Sequence, residues 1–264
     1  MKINGNGTIA NICNEILYHY ELTQLKDSNN FIVQCYGYTY DYSNIYIILE
    51  YCENHTLLEN LPDIYTEGIS SNKFHDITSN TSHKLNILKQ IALCIKFLHD
   101  NNIAWRDCKM ENIVKCGDKY KLIDFGLSDK KKQGQLYNVK GTAIMFSEHV
   151  YNLWKQNDRR EVLTFDEAKA ADIYAFGLLI VLFFWEILNS SLRHYYRDIL
   201  TENDFFKPGR KVLKYDNAID IDISVAIMEL NTLTYSKQID DVITGINRTI
   251  SLNIKMSSMY KTVD

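Results

Sequence analysis

The 264-residue sequence predicts an α+β fold in two lobes: a small antiparallel sheet carrying one helix, then a larger, mainly helical body. Three observations predict it. Two runs, FIVQCYGYTY (31–40) and SNIYIILEY (43–51), are rich in β-branched and aromatic residues and are separated by Asp41 and Tyr42, as in an antiparallel pair. The stretch SHKLNILKQIALCIKFLHDNN (82–102) repeats Leu85, Leu88, Ile91, Ile95 and Leu98 at helical spacing. The run IYAFGLLIVLFFWEIL, Ile173 to Leu188, is apolar nearly all round, as the central helix of a large core would be.

The elements follow in order. IANICNEILYHYELTQL (9–25) reads as a helix, with Ile12, Ile16 and Leu17 forming its apolar face. The paired strands come next, then ENHTLLENL (53–61) as a short helix, and Pro62 to Asn80 as a polar connection. After the long amphipathic helix, NIVKC and YKLID flank Gly117-Asp118 as a hairpin. The rest is mostly helical around the apolar run. These boundaries give one domain, 1–264, with a partial small lobe over 1–50, a hinge at 51–54 and a large lobe over 55–264.

Composition narrows the function. Net charge is −4 and the longest basic run is Lys130 to Lys132, which argues against nucleic acid as a partner. The 16-residue apolar run contains Glu186 and falls short of the ~20 residues of a membrane span, so no membrane association is expected. The N-terminus MKINGNGTIA has no apolar export segment, which points to an intracellular, cytoplasmic chain. The six cysteines show no CxxC pair and read as free thiols in a reducing compartment.

Chemistry concentrates between Trp105 and Gly126. WRDCKMEN (105–112) resembles the catalytic loop H-R-D-x-K-x-x-N of the eukaryotic protein kinase family, and Asp124-Phe125-Gly126 resembles its D-F-G, after a strand as required. Gly141-Thr142 and Ser147-Glu148 resemble the end of the family's activation segment. Asp172 to Gly177 resembles the start of its central helix. The resemblance runs in order from about residue 2 to 188 and implies a serine/threonine-type protein kinase that uses ATP and Mg²⁺ on a protein substrate.

The resemblance also implies roles. Asp107 orients the substrate hydroxyl, Lys109 reaches the γ-phosphate, and Asn112 and Asp124 hold metal as hard oxygen ligands. Lys2 is the candidate for the phosphate-binding lysine, with a solvated terminal lysine as the alternative. Glu15 is its candidate carboxylate partner, and Glu21 the alternative. Leu49 resembles the residue beside adenine, while Glu50 and Cys52 offer backbone groups to its edge. Glu148 pairs with a late arginine in the family, and Arg248 is one candidate here. Arg106 resembles the arginine of relatives switched by phosphorylation, for which Tyr137 is the candidate hydroxyl; Thr142 reads as structural.

Three departures stand out. The loop histidine is Trp105, so its polar contacts are expected to change. The proline of A-P-E is Ser147. The family's first two strands and glycine-rich loop precede the position of Lys2, so the small lobe reads as lacking them. A kinase-fold scaffold with little or no phosphotransfer is therefore the alternative function.

Overall fold

A computed structural model describes residues 9–42, 44–52, 56–59, 73–155, 162–184, 230, 233 and 238–260. It is a mixed α+β structure in which small antiparallel sheets pack against long helices. Helix α1 spans Ile9–Thr23, and strands β1 (Cys35–Tyr40) and β2 (Ile45–Leu49) pair antiparallel after it. The turn between them is held by Asp41, whose carboxylate accepts from the Asn44 backbone N–H (2.8 Å) and from the Tyr46 hydroxyl (2.7 Å). An Asx-type side chain closing its own turn is the usual solution at such a position.

The buried side of α1 differs from the expected one. Leu17 is half exposed, whereas Glu15, His19 and Leu22 are buried. These three follow i, i+4, i+7 spacing, so helical periodicity is kept but two polar residues lie on the inner face. An apolar count cannot find that face.

Helix α2 spans Lys73–Asp100, starting well inside the stretch expected to be a polar connection. Residues 73–81 contain neither Pro nor Gly, so nothing stops the helix from extending N-terminally beyond its apolar stripe. From Leu85 onward that stripe is buried. Strand β3 (Ile103–Ala104) follows, then the hairpin of β4 (Ile113–Cys116) and β5 (Lys119–Leu122), with Gly117 at φ 59° in its turn. Strand β6 (Asp129–Lys130) pairs back on β3. Helix α3 covers Glu148–Lys155, helix α4 Phe165–Phe183, and helix α5 Ile239–Tyr260.

Thr164 starts α4 through a reciprocal cap: its hydroxyl accepts from Glu167 N–H (3.2 Å), and Glu167 Oε2 accepts from Thr164 N–H (2.8 Å). The described part of the apolar run, from Ile173 onward, is almost wholly buried in the main core, together with α2 and α5. No helix among the described residues is long and apolar enough to cross a membrane.

One residue of α4 reaches out of this core to set the loop before β4. Asp172 is 1 % exposed. Its Oδ2 accepts from Trp105 N–H (2.8 Å) and from His99 Nε2 (3.0 Å), and its Oδ1 accepts from Arg106 N–H (2.7 Å). Arg106 sits at φ 72°, a left-handed conformation that costs a non-glycine residue about 1 kcal/mol or more and needs such bonds to persist. Asp172→Ala strands two buried backbone donors and should cost about 3 kcal/mol or more. Thermal unfolding should register this as a Tm lower by roughly 6–12 °C; an unchanged Tm would contradict the role given to Asp172.

Candidate active site

The loop held by Asp172 delivers Asp107, whose side chain is the hub of the site. Asp107 is 4 % exposed. Its Oδ1 accepts from the Thr142 hydroxyl (2.6 Å); its Oδ2 accepts from Asn112 Nδ2 (2.8 Å) and pairs with Lys109 Nζ (2.6 Å). Lys109 Nζ also lies 3.4 Å from the Thr142 hydroxyl oxygen. A carboxylate has about four lone-pair positions, so Oδ1 keeps one for a further donor.

Asn112 spends its amide N–H groups on the Asp107 carboxylate and backbone oxygen (2.8 and 3.0 Å). Its side-chain Oδ1 accepts no hydrogen bond among the described residues, while its backbone carbonyl accepts from Ile123 N–H (3.0 Å). Asp124 follows β5 and is also left-handed, at φ 60°. Its Oδ1 accepts from Gly126 N–H (3.2 Å). Burial pushes the Asp124 carboxyl above the usual range, and the charge of Asp107 adds to this against the opposing Gly126 hydrogen bond.

Asp124 and Asn112 together therefore present a carboxylate short of positive charge and a neutral oxygen. That donor set fits a divalent cation that draws its remaining ligands from phosphate oxygens and water. Among the described residues no cluster of three or more His, Cys, Asp or Glu could hold a metal alone.

Trp105, at the position of the loop histidine, makes a polar contact through its indole. The indole is fully buried, and its Nε1–H donates to the Asp124 backbone oxygen (3.0 Å). Trp105 and Phe125 share one buried cluster, and His19 of α1 meets Phe125 edge-on with ring centroids 5.0 Å apart. His19 Nε2–H donates to the Val33 carbonyl (2.6 Å), while its Nδ1 is buried without a partner. Burial lowers the His19 pKa to about 4, so the ring is neutral.

One turn earlier on α1, Glu15 is 7 % exposed. Burial raises its pKa to about 7, and the Asp124 charge adds to the rise. Glu21, the alternative partner for Lys2, instead pairs with Lys130 at the surface (3.2 Å). Lys2 lies outside the described residues.

The hinge residues engage through side chains as well as backbone. Glu50 N–H donates to the Gln34 carbonyl (2.8 Å), while both Glu50 carboxylate oxygens meet Lys121 Nζ of β5 at 2.7 Å. Cys52 is disulfide-bonded to Cys116 of β4, so the expectation that every cysteine is free is corrected here. Sequence distance concealed the pairing, because 64 positions separate the two. Leu49 ends β2 directly before this segment.

The expectation for Tyr137 is also corrected. Tyr137 is buried, and its hydroxyl donates to the Lys130 carbonyl (3.0 Å) and accepts from Lys132 N–H (2.9 Å). Arg106, the arginine a phosphate would seek, donates to Asp129 (2.5 Å) and to the Asn138 carbonyl (2.6 Å). Lys140 completes the clamp on Asp129 at 3.0 Å. An internal carboxylate thus occupies the arginine. Gly141 lets the segment pass this loop: at φ 116° it lies so close to the Arg106 carbonyl oxygen that a Cβ there would clash.

Arg248 is exposed on α5, and the side chain of Glu148 lies outside what is described. A separate cavity of about 500 Å³ lies between the end of α2 and the starts of α4 and α5. Its Asp100 and Asp240 are already paired with Lys96 and its Asp166 with Lys169, and Asp107 is not among its lining residues.

Comparison with known proteins adds an independent line. Residues 2–207 match the protein kinase domain. A protein of Acanthamoeba polyphaga mimivirus, named for serine/threonine-protein kinase activity, is 31 % identical over 165 residues, or 62 % of this chain and 51 % of that one. The serine/threonine-protein kinase KSP1 of Saccharomyces cerevisiae is 29 % identical over 174 residues, 65 % of this chain and 15 % of that one. An Aurora kinase of Debaryomyces hansenii is 38 % identical over 100 residues, 38 % of this chain and 21 % of that one. The similarity thus spans about half the length of the mimivirus relative and much less of the others.

The signs of the two α1 shifts give a pH prediction. Between pH 4.5 and 7 folded Glu15 keeps a proton that the unfolded chain has lost, so its contribution to stability falls as pH rises. Between pH 6.5 and 4 unfolded His19 gains a proton that the folded chain refuses, so its contribution falls as pH drops. The two oppose one another. Glu15→Gln removes the first alone, and its stability relative to wild type should grow from near zero at low pH to on the order of 2 kcal/mol by pH 8. Denaturant titrations across that range check this; a pH-independent difference would contradict the buried, proton-holding Glu15.

Proposed function

Because the chain belongs to the protein kinase family, we propose that it transfers the γ-phosphate of ATP to serine or threonine hydroxyls of a protein substrate. The observation that carries this reading is the convergence of Lys109, Asn112 and Thr142 on the single carboxylate of Asp107. In the proposed bilobal arrangement, a small sheet lobe over 1–50 and a helical lobe over 55–264 flank the nucleotide.

Asp107 Oδ1 has room for one more donor, which fits a substrate hydroxyl held and oriented for attack. Lys109, partly exposed and paired to Asp107, provides positive charge where the transferred phosphoryl gains negative charge. Thr142 bridges the lysine and the carboxylate and fixes their spacing. Asn112 and Asp124 are the proposed holders of Mg²⁺, which when bound neutralises the β- and γ-phosphate oxygens. The Glu50 backbone N–H is spent on Gln34, which leaves its carbonyl for the adenine edge, alongside the Cys52 backbone and Leu49. Lys2, paired with Glu15, is the proposed contact to the α- and β-phosphates. That pairing would put a cation beside Glu15 and favour its charged form against the burial that otherwise holds its proton.

Two measurements test the reading. Millimolar Mg-ATP should raise the Tm of the purified chain by several degrees, because a ligand that binds only the folded state stabilises it. No shift would favour a kinase-fold scaffold that does not bind nucleotide. In a phosphotransfer assay Asp107→Asn should lower kcat by about 10²–10⁴-fold, and retained turnover would overturn the assignment of Asp107.

A further inference from the structure

The segment after β2 is fastened to the β4–β5 hairpin three times along its length. Glu50 pairs with Lys121, Cys52 is bonded to Cys116, and Thr56 makes a backbone bridge to Val114. The hairpin is the piece that begins beside Asn112 and ends beside Asp124. The middle fastening is therefore a covalent tie between the hinge and the hairpin that the metal-binding candidates flank.

We propose that Cys52 and Cys116 form a reversible thiol–disulfide switch that ties the hinge to the β4–β5 hairpin and so controls release of nucleotide from the cleft. The inference rests on the nucleotide-binding reading above.

Geometry and exposure support it. The two Cα atoms are 4.6 Å apart, within the range a disulfide spans without backbone movement. Both residues are only partly buried, so a small thiol or disulfide reagent can reach them. The other cysteines with described side chains are Cys35, Cys94 and Cys108, and all three are buried. Burial raises the thiol of Cys94 to about 12 and pushes Cys35 and Cys108 up as well, which keeps them in the unreactive protonated form. Among the cysteines with described side chains, redox chemistry is thus directed to one pair.

The reaction balances with glutathione disulfide as oxidant. One cysteine thiolate attacks glutathione disulfide, forming a mixed disulfide and releasing one glutathione. The second cysteine then attacks the protein sulfur of that mixed disulfide and releases the other. Two protein thiols and one glutathione disulfide become one protein disulfide and two glutathiones, and excess glutathione runs it backwards. With the bond closed, residues 50–52 cannot move away from β4, and a hinge that cannot flex slows the opening through which nucleotide leaves. With the bond open, the Glu50–Lys121 pair and the Thr56–Val114 bridge still hold this segment among the described residues.

The test uses the full chain equilibrated in glutathione buffers from reducing to oxidising, with Cys116→Ser as control. Thiols are counted after denaturation, and release of a fluorescent ATP analogue with Mg²⁺ is followed by stopped flow. The wild type should pass from six free thiols to four and release the analogue roughly threefold or more slowly when oxidised. Cys116→Ser should release it at the reduced rate in every buffer. A count of six throughout, or a count of four with unchanged release, would overturn the switch. Failure of the analogue to bind in either state would overturn the nucleotide reading and the control of release with it. The thiol count would still report separately whether the bond forms.

Discussion

The buried carboxylate of Asp172 is the constraint on which the rest of the site depends. It lies on a helix whose other inward residues are apolar, and it accepts from the consecutive backbone donors of Trp105 and Arg106. A loop entering a core would otherwise leave those donors unpaired, at about 1–3 kcal/mol each. Once they are held, the order of side chains follows from the backbone path. Trp105 points inward and donates to the Asp124 carbonyl, Arg106 reaches Asp129 of β6, and Asp107 faces Thr142 and Asn112. The left-handed turn at Arg106 makes this divergence possible, and the core pays the strain.

Negative charge gathers around the point where these groups meet. Asp107, Asp124 and Glu15 are all largely withdrawn from water, and the carboxyls of Asp124 and Glu15 are raised above their ordinary range, first by burial. A site of this kind is under electrostatic load in the free protein and is relieved when cations arrive. Such load is common where ligand chemistry has been placed ahead of stability. His19 shows the same priority in another form: it occupies an inward position against Phe125 and leaves one ring nitrogen unsatisfied.

Much of this was legible in the residues, for identifiable reasons. The spacing of Asp107, Lys109 and Asn112 is local, so one short loop brings them together whatever the rest of the chain does. The hairpin between Asn112 and Asp124 is equally local, with Gly117 marking its turn. What escaped reading depends on distance or on polarity inside. The inner face of α1 carries Glu15 and His19, so apolar periodicity pointed to Leu17 instead. The tie between Cys52 and Cys116, and that between Glu50 and Lys121, join segments more than sixty residues apart and leave no periodic trace. Thr142 looked structural because a hydroxyl in a loop has many uses; its bond to Asp107 appears only when the activation segment is folded back. Which polar contact Trp105 would make could not be read from the sequence, because its indole N–H meets the Asp124 carbonyl 19 positions away.

In the proposed reading, Asp124 and Asn112 together hold the cation of a bound nucleotide while Lys109 and Asp107 face its terminal phosphate. The most direct measurement is a crystal structure of the chain with a non-hydrolysable ATP analogue and Mn²⁺, with the metal located by anomalous scattering. An anomalous peak is expected within ligand distance of an Asp124 carboxylate oxygen and of Asn112 Oδ1, with the terminal phosphate next to Lys109. A metal bound elsewhere, or a nucleotide whose phosphates point away from Asp107, would contradict it.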